Sequence, residues 1–339
     1  MVGWDIGGVN TKATRLLGDR IAPHRSISLP YELQHELSQL TPTLQAVAAE
    51  LDSDGADCHA VTMTAELSQA FRTKREGVEF VLDALEAAFP AAGIHVYTVT
   101  GGFVSPRAAR SRPLDVAASN WAATANWVAG QLPDCILIDV GSTTTDLIPI
   151  QRGEVVARGR SDPERLSLGE LVYTGVLRTP VEAFATKVPF QSTTARVSAE
   201  GFALSGDVHL WLGRLSGKDY TCPTPDGRPA TRQFAGERLA RVVCADREML
   251  DDQAIDQMAE ALARAQLEPI VAALGELRSR HPLLSTAVVT GLGEFIASDA
   301  ARAARLDVIR LADRMEGAGQ TAAATAVAGL LRNCLAATA

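Results

Sequence analysis

Trp4-Asp5-Ile6-Gly7-Gly8-Val9-Asn10-Thr11-Lys12 and Ile138-Asp139-Val140-Gly141-Ser142-Thr143-Thr144-Thr145-Asp146 are two copies of one pattern. With Asp5 laid on Asp139, Gly7 falls on Gly141 and Thr11 on Thr145. Each copy is an apolar strand ending in an acid, then a glycine- and hydroxyl-rich tip, then a second apolar run. Glycine lets the chain turn tightly and brings backbone N–H groups close to an anion. The tip hydroxyls add donors, and the strand-end acids offer oxygen ligands to a divalent cation. Two such hairpins facing one another would grip a magnesium-bound phosphate from both sides. One turn alone would as readily be an ordinary hairpin with a solvated acid. Recurrence of acid, glycine and threonine in two places favours the shared role.

The chain has 339 residues, enough for two lobes with separate cores. Hydrophobic residues make up 47% and charged residues 21%, an ordinary globular composition. Net charge is −8, with no dense Lys/Arg cluster, so a nucleic-acid role lacks its electrostatic footprint. A phosphate ligand would need local help from Lys12, backbone amides and a metal. The first turn lies within a few residues of Met1, which leaves no room for a signal peptide. No apolar run is long enough to span a membrane. The five cysteines are scattered, without C-x-x-C spacing or His partners, so neither a zinc site nor a disulfide framework is expected. A cytoplasmic enzyme with reduced thiols is the plain expectation.

Periodicity outlines an α/β protein. Val2–Ile6 and Ala13–Leu17 read as a hairpin around the first turn. Thr43–Leu51 and Val78–Phe89 have helical spacing, and Ala60–Met63 and Ile94–Val99 have strand length. The first lobe is expected to end near residue 115. An Ala-rich helix over Leu114–Leu132 then leads into Cys135–Val140 and the second lobe, residues 116–339. Between about 152 and 246 the pattern is irregular and reads as an insertion or substrate region. Gln253–Arg278 is helical, with Pro269 as a kink. Thr286–Thr290 is a strand followed by Gly291-Leu292-Gly293-Glu294, where glycines admit a phosphate or planar ligand, or simply make a tight strand–helix turn. Asp307–Leu311 reads as a strand. Thr321–Leu335 is a small-residue helix able to pack closely on a neighbour, and a homodimer is a separate expectation.

In order, these features resemble the actin-like ATPase superfamily of sugar kinases, acetate kinase and actin. The resemblance implies two ribonuclease-H-like lobes with a cleft between them. It makes Asp5–Lys12 and Asp139–Asp146 the phosphate motifs and Gly291–Glu294 the adenosine motif. A nearer resemblance is to the hydantoinase/oxoprolinase-related branch linked to tetrahydromethanopterin-dependent one-carbon metabolism. It rests on Trp4–Lys12, on Ala118-Ser119-Asn120-Trp121-Ala122-Ala123-Thr124-Ala125 and on Tyr173-Thr174-Gly175-Val176-Leu177-Arg178-Thr179-Pro180. Asp226-Gly227-Arg228, Arg238-Leu239-Ala240-Arg241 and Cys244-Ala245-Asp246 add to it. Archaeal members of that branch are methanofuran-biosynthesis synthases. They join an aminomethyl-furan-methyl diphosphate to the phenol of γ-glutamyltyramine and release diphosphate. The resemblance therefore implies an aryl-ether-forming transferase for methanofuran or methylofuran, acting on small-molecule substrates without nucleic-acid or membrane partners. Mg²⁺ is the implied cofactor, and ATP is not expected. The competing reading of the same fold is an ATP-dependent small-molecule kinase or hydantoinase-like ATP hydrolase, to which Gly291–Glu294 would supply the adenine seat.

Diphosphate leaves only when metal and donors absorb its charge. Asp5 and Asp139 are the candidate metal ligands, and Lys12 a point charge for a phosphate oxygen. Gly7, Gly8, Asn10, Thr11, Gly141, Ser142, Thr143, Thr144, Gly291 and Gly293 are the candidate phosphate contacts. Glu66, just after a strand, is a candidate base for the phenol, or else a solvated loop carboxylate. Asp146, in the place of the first turn's lysine, is either a second base or part of the metal shell. Arg178 either holds the second substrate's carboxylate or makes a surface salt bridge. Trp121 either walls the site, with Trp127 beside it, or is core.

Overall fold

All five residues of Val2–Ile6 (β1) are buried, as in a strand with neighbours on both edges and cover on both faces. The computed structural model describes residues 1–17, 20–53, 56, 58–315 and 319–338. Asn10–Leu17 (β2) pairs antiparallel with β1, and Arg20–Pro30 (β3) antiparallel with β2, before Leu40–Glu50 (α1). On the other edge Cys58–Met63 (β4) pairs parallel to β1. Lys74–Ala88 (α2) then crosses to Gly93–Tyr97 (β5), also parallel, and Phe103–Val104 (β6) closes the sheet. Strand order is β3-β2-β1-β4-β5-β6. Val2, Trp4 and Ile6 face a core filled by Leu44 and Val47 of α1 and by Val78, Val81, Leu82 and Leu85 of α2. The α2 residues recur at helical spacing. Thr73 caps the helix by accepting from the Glu76 amide at 3.2 Å, and the helix ends before Pro90, whose ring disfavours a helical residue ahead of it.

Pro106–Ser111 (α3) and Asn120–Ala129 (α4) lead to Cys135–Val140 (β7), Thr145–Gln151 (β8) and Glu154–Val155 (β9). Asp162–Ser167 (α5) and Leu171–Val172 (β10) follow, then the hairpin of Lys187–Phe190 (β11) and Thr193–Arg196 (β12). Ser205–Trp211 (α6), Arg232–Arg241 (α7), Asp252–Arg280 (α8), Thr286–Thr290 (β13), Glu294–Ala303 (α9), Asp307–Arg310 (β14) and Ala322–Thr338 (α10) complete the chain. The second sheet runs β10-β8-β7-β13-β14, with β9 on β8. The first five strands of the first sheet and the five of the second therefore share one order, with the strand before each glycine turn at the centre. Each sheet thus has the strand order expected of a ribonuclease-H-like α/β lobe.

Two compact units form. One comprises Met1–Leu137, Ile148–Leu168 and Ile309–Ala339, the other Ile138–Leu147 and Gly169–Val308. They interleave in sequence, whereas the sequence reading drew one boundary after residue 115. The small residues of α10 are used inside the first unit, where the helix packs on β1, β2, β4 and α4. A Cβ on Gly3 would stand 2.0 Å from the Ala324 carbonyl oxygen, and one on Gly329 would stand 2.1 Å from the Trp127 ring.

Several expected elements are corrected in extent. The helix expected over Leu114–Leu132 starts only at Asn120, because Ala118 has φ 51, a left-handed backbone that no α-helix accommodates. The strand expected over Ile94–Val99 stops at Tyr97, where the Thr98 hydroxyl donates to the Gly101 carbonyl at 2.7 Å and turns the chain. The stretch at 152–246 contains three helices and a hairpin. All seven residues of α6 are buried, so it has no polar face for a periodicity search to find. Pro269 lies within α8, which continues through it.

Gly3→Ala is expected to destabilise the protein by about 1–3 kcal/mol, since a methyl is forced into a closed helix–strand contact. Gly275→Ala, in α8 with nothing within 4 Å of its Cβ, should instead stabilise by up to about 1 kcal/mol. Denaturant unfolding of the two variants measures both.

Candidate functional site

Both glycine turns close on the same hydrogen bond. The Gly7 amide donates to the Asn10 carbonyl at 2.9 Å, and the Gly141 amide donates to the Thr144 carbonyl at 2.9 Å. Positions aligned in sequence thus do the same work in both units. The carbonyls of the tips are then occupied from outside. Leu33 and Tyr31 amides donate to Gly8 and Val9 oxygens, each at 3.0 Å. In the second unit Val176 donates to the Gly141 oxygen at 2.9 Å, and Leu177 and Arg178 donate to the Ser142 oxygen at 3.0 Å. With carbonyls tied back, the amides of Gly8, Val9, Ser142 and Thr143 have no acceptor among the described residues. A turn that presents N–H groups and withdraws C=O groups is an anion receptor.

In the first unit Asp5 is the cross-strand partner of Lys12 on β2 and of Thr62 on β4. The register places Lys12 Nζ 3.4 Å from Asp5 Oδ2, while Asp5 Oδ1 is buried without a partner. Thr11, one residue before Lys12, is buried with its Oγ1 likewise unpartnered. Gly7 lies against the adjacent strand end, where a Cβ would be 3.4 Å from Thr64 Oγ1. Two residues beyond Thr64 is Glu66. Asp5, Gly7, Thr64 and Glu66 therefore share the carboxyl ends of parallel β1 and β4, the edge at which α/β sheets bind ligands.

Glu66 is buried, which corrects the alternative of a solvated loop carboxylate. Its backbone is packed by Gly77 of α2, where a Cβ would stand 2.5 Å from Glu66 Cα. No side chain hydrogen-bonds to its carboxyl oxygens, and the backbone amides of Glu66 itself and Ala118 favour the charged form. Lys74 Nζ lies 3.8 Å from Oε1 but only 2.7 Å from Asp162 Oδ2. Burial pushes the Glu66 carboxyl up to about 7, against the opposing pull of Lys74. Such a group is poised to exchange a proton near neutral pH. Lys74 and Asp162 escaped sequence reading because they stand far apart in the chain and belong to no motif.

In the second unit three segments converge on Asp139 and the tip that follows it. Gly291, at φ 96, lies so close that a Cβ would be 2.4 Å from Asp139 Oδ1 and 2.3 Å from the Val140 oxygen. The Gly293 amide donates to the Val140 oxygen at 2.9 Å. In the first unit the Thr64 amide does the same to the Ile6 oxygen, so the glycine pair occupies the place of the Thr64 turn. Gly175 is equally forced, since a Cβ there would be 2.5 Å from Thr143 backbone. Arg178 is thus anchored to the tip through its own backbone. Asp146, in β8 opposite Leu171, is buried at the position Lys12 holds in β2. Ser142 Oγ and Thr143 Oγ1 are 3.4 Å apart.

A buried polar network holds the 174–179 segment down. Gln266 of α8 donates to the Gly175 oxygen at 2.8 Å and to Thr174 Oγ1 at 3.1 Å. The Thr145 hydroxyl donates to the Thr174 oxygen at 2.7 Å, and the Ser205 hydroxyl to the Gly175 oxygen at 2.8 Å. Gln266 Oε1 accepts from His209 Nε2 at 2.8 Å. Burial lowers His209 to about 4, so the ring is neutral and its Nε2 carries the proton. None of Gln266, Ser205 and His209 had a sequence signature, because their partners stand far apart in the chain.

Trp121 is 4% exposed, with the Arg165 guanidinium 4.2 Å above its ring, and Trp127 lies over Gly329. Trp121 is packed inside the first unit and Trp127 is half-buried, so the expectation of an open aromatic wall at Trp121 is corrected. Asp5 and Asp139 fall in different compact units. Among the described residues no group of three or more His, Cys, Asp or Glu is arranged to hold a metal.

Gln266→Ala should cost about 1–3 kcal/mol by leaving buried polar groups unpaired. Hydrogen exchange at the Val176, Leu177 and Arg178 amides should quicken while exchange in β1 stays unchanged.

The hydantoinase/oxoprolinase family model matches residues 57–333. A relative from Methanocaldococcus jannaschii, named (4-{4-[2-(gamma-L-glutamylamino)ethyl]phenoxymethyl}furan-2-yl)methanamine synthase, is 41% identical over 301 residues, 88% of each chain. A protein of the same name from Methanococcus vannielii is 38% identical over 167 residues, 49% of this chain and 74% of that one. Among solved structures, a ROK hexokinase from Thermus thermophilus is similar over 98% of this chain and 99% of its own, at 14% identity and a TM-score of 0.46. No helix among the described residues is long and apolar enough to cross a membrane. With one family match spanning most of the sequence and a relative this similar across 88% of both chains, the chain belongs to the hydantoinase/oxoprolinase family.

Proposed function

We propose that the protein is a transferase that forms the aryl ether of a methanofuran-type cofactor, joining a furan-methyl carbon to a phenol oxygen with loss of diphosphate. The observation that carries this reading is the pair of identically closed turns, each presenting amides to an anion, in a chain 41% identical to a phenoxymethyl-furan synthase. The phenoxymethyl link in that relative's product name is a bond between a phenol oxygen and a furan-bound carbon.

The chemistry divides among the residues described. The bond from the furan-methyl carbon to the diphosphate oxygen breaks with its electron pair going to diphosphate. In the first unit the amides of Gly8 and Val9, with Lys12, are the groups that would stabilise the charge that develops there. The unpartnered Asp5 Oδ1 fits a hard cation, so Asp5 would hold Mg²⁺, which when bound withdraws charge from diphosphate oxygens. The electron-rich furan stabilises the carbon left behind, and the protein's remaining task is orientation. The phenol oxygen forms the new bond, and Glu66 takes its proton. Arg178 suits the carboxylate of a glutamyl or amino-acid acceptor, with which a guanidinium pairs through two hydrogen bonds. The substrates are small molecules, and this scheme requires no nucleotide.

Incubation with Mg²⁺, an aminomethyl-furan-methyl diphosphate and γ-glutamyltyramine, tyramine or tyrosine should release diphosphate and yield the ether, detected by mass spectrometry. No ether with any phenol rejects the proposal. Because Glu66 must be ionised to accept the proton, activity should rise with pH through an inflection near 7. Glu66→Gln should lower kcat about a hundredfold or more and abolish that inflection.

A further inference from the structure

Glu66, Lys74 and Asp162 form a chain of three charges inside the first unit, with geometry that an ordinary ion pair does not require. The Lys74 ammonium could satisfy either acid. It stands 2.7 Å from Asp162 Oδ2 and 3.8 Å from Glu66 Oε1, so it hydrogen-bonds to the former and only attracts the latter. Asp162 is held near the start of α5, where the Glu164 carboxylate accepts from the Ser161 and Arg160 amides at 3.1 and 2.8 Å. Lys74 starts α2, whose Gly77 seats Glu66. Each member is therefore fixed by its own element. Arg165, one turn along α5, lies over the Trp121 ring. The chain near Ala118 contributes only backbone amide to Glu66.

We propose that Lys74 and Asp162 are positioning residues for the transfer reaction, Asp162 holding the Lys74 ammonium out of hydrogen-bond reach of Glu66 and so keeping that carboxylate basic enough to take a proton from a phenol. This rests on the reading of Glu66 as the base. A lysine bonded directly to Glu66 would stabilise the carboxylate and weaken it as a base. A lysine removed altogether would leave a buried acid that stays protonated at neutral pH. The observed arrangement lies between these limits.

The two partners therefore shift Glu66 in opposite directions. Asp162→Asn frees Lys74 to bond to Glu66, so the carboxyl should ionise at lower pH. Lys74→Met removes the opposing charge, so it should ionise at higher pH. The pH profile of kcat/KM should show its acidic limb displaced by about one unit downward in Asp162→Asn and upward in Lys74→Met. On that limb each displacement is about a tenfold change in rate relative to the variant's own plateau. A merely structural role would lower the plateaus and leave the limb where it is.

A second readout needs no activity. With its folded carboxyl raised above the unfolded value of 4.5 to about 7, Glu66 binds more protons folded than unfolded between those pH values. Its stabilising protonation is complete below about 4.5 and is lost as pH rises through about 7. Subtracting the unfolding free energy of the matching Glu66→Gln protein in each background isolates this curve, whose upper end should move down in Asp162→Asn and up in Lys74→Met. If these stability curves move while the kinetic limb does not, Glu66 is not the base but the charge arrangement stands. If the stability curves do not move, or both move the same way, the inference is overturned.

Discussion

The hydrogen bond from a glycine amide to the carbonyl three residues on, made at Gly7 and again at Gly141, is the constraint from which the rest of the site follows. At Gly7 it folds the chain back so tightly that a side chain would collide with the main chain. A Cβ at Gly7 would stand 2.8 Å from the Asn10 oxygen. It also fixes which backbone groups turn outward. Because neighbouring segments take up the tip carbonyls, each tip is left with donors and no competing acceptors. A protein of net charge −8 has no global attraction for diphosphate, so these oriented dipoles, with Lys12, must supply it locally.

The two tips are built alike but supported differently. In the first unit the supporting segment follows directly from β3, and the adjoining strand end leads to Thr64 and Glu66. In the second the support is a segment locked by Gln266, Ser205 and Thr145, and the adjoining strand end is the Gly291–Gly293 turn. The first unit thus carries a buried carboxyl near neutrality and a lysine. The second carries two acids, Asp139 and Asp146, and a guanidinium at Arg178.

Much of this was legible in the sequence where a residue type is forced by backbone geometry. Gly7 in the duplicated pattern and Gly291 after β13 mark places where a side chain would collide with main chain. Strand β13 and the core face of α2 were equally plain, because their periodicity matches their burial. Relationships that depend on partners distant in the chain were not legible. Glu66 could be singled out by its place after a strand, but Lys74 and Asp162 carry no local mark of their pairing. Helix α6, buried on every side, and the break at Ala118, a left-handed residue without glycine, were hidden for the same reason: neither leaves a composition that differs from its surroundings. Trp121 shows the converse, a conspicuous residue whose role is packing.

That the glycine turns are built to hold diphosphate is tested most directly by calorimetric titration of the protein with Mg²⁺ and inorganic diphosphate, using wild type and Asp5→Asn. Diphosphate should bind the wild type, and the substitution should weaken it at least tenfold, about 1.4 kcal/mol, with the variant still folded by circular dichroism. No binding by the wild type, or binding that survives the substitution unchanged, would contradict the account.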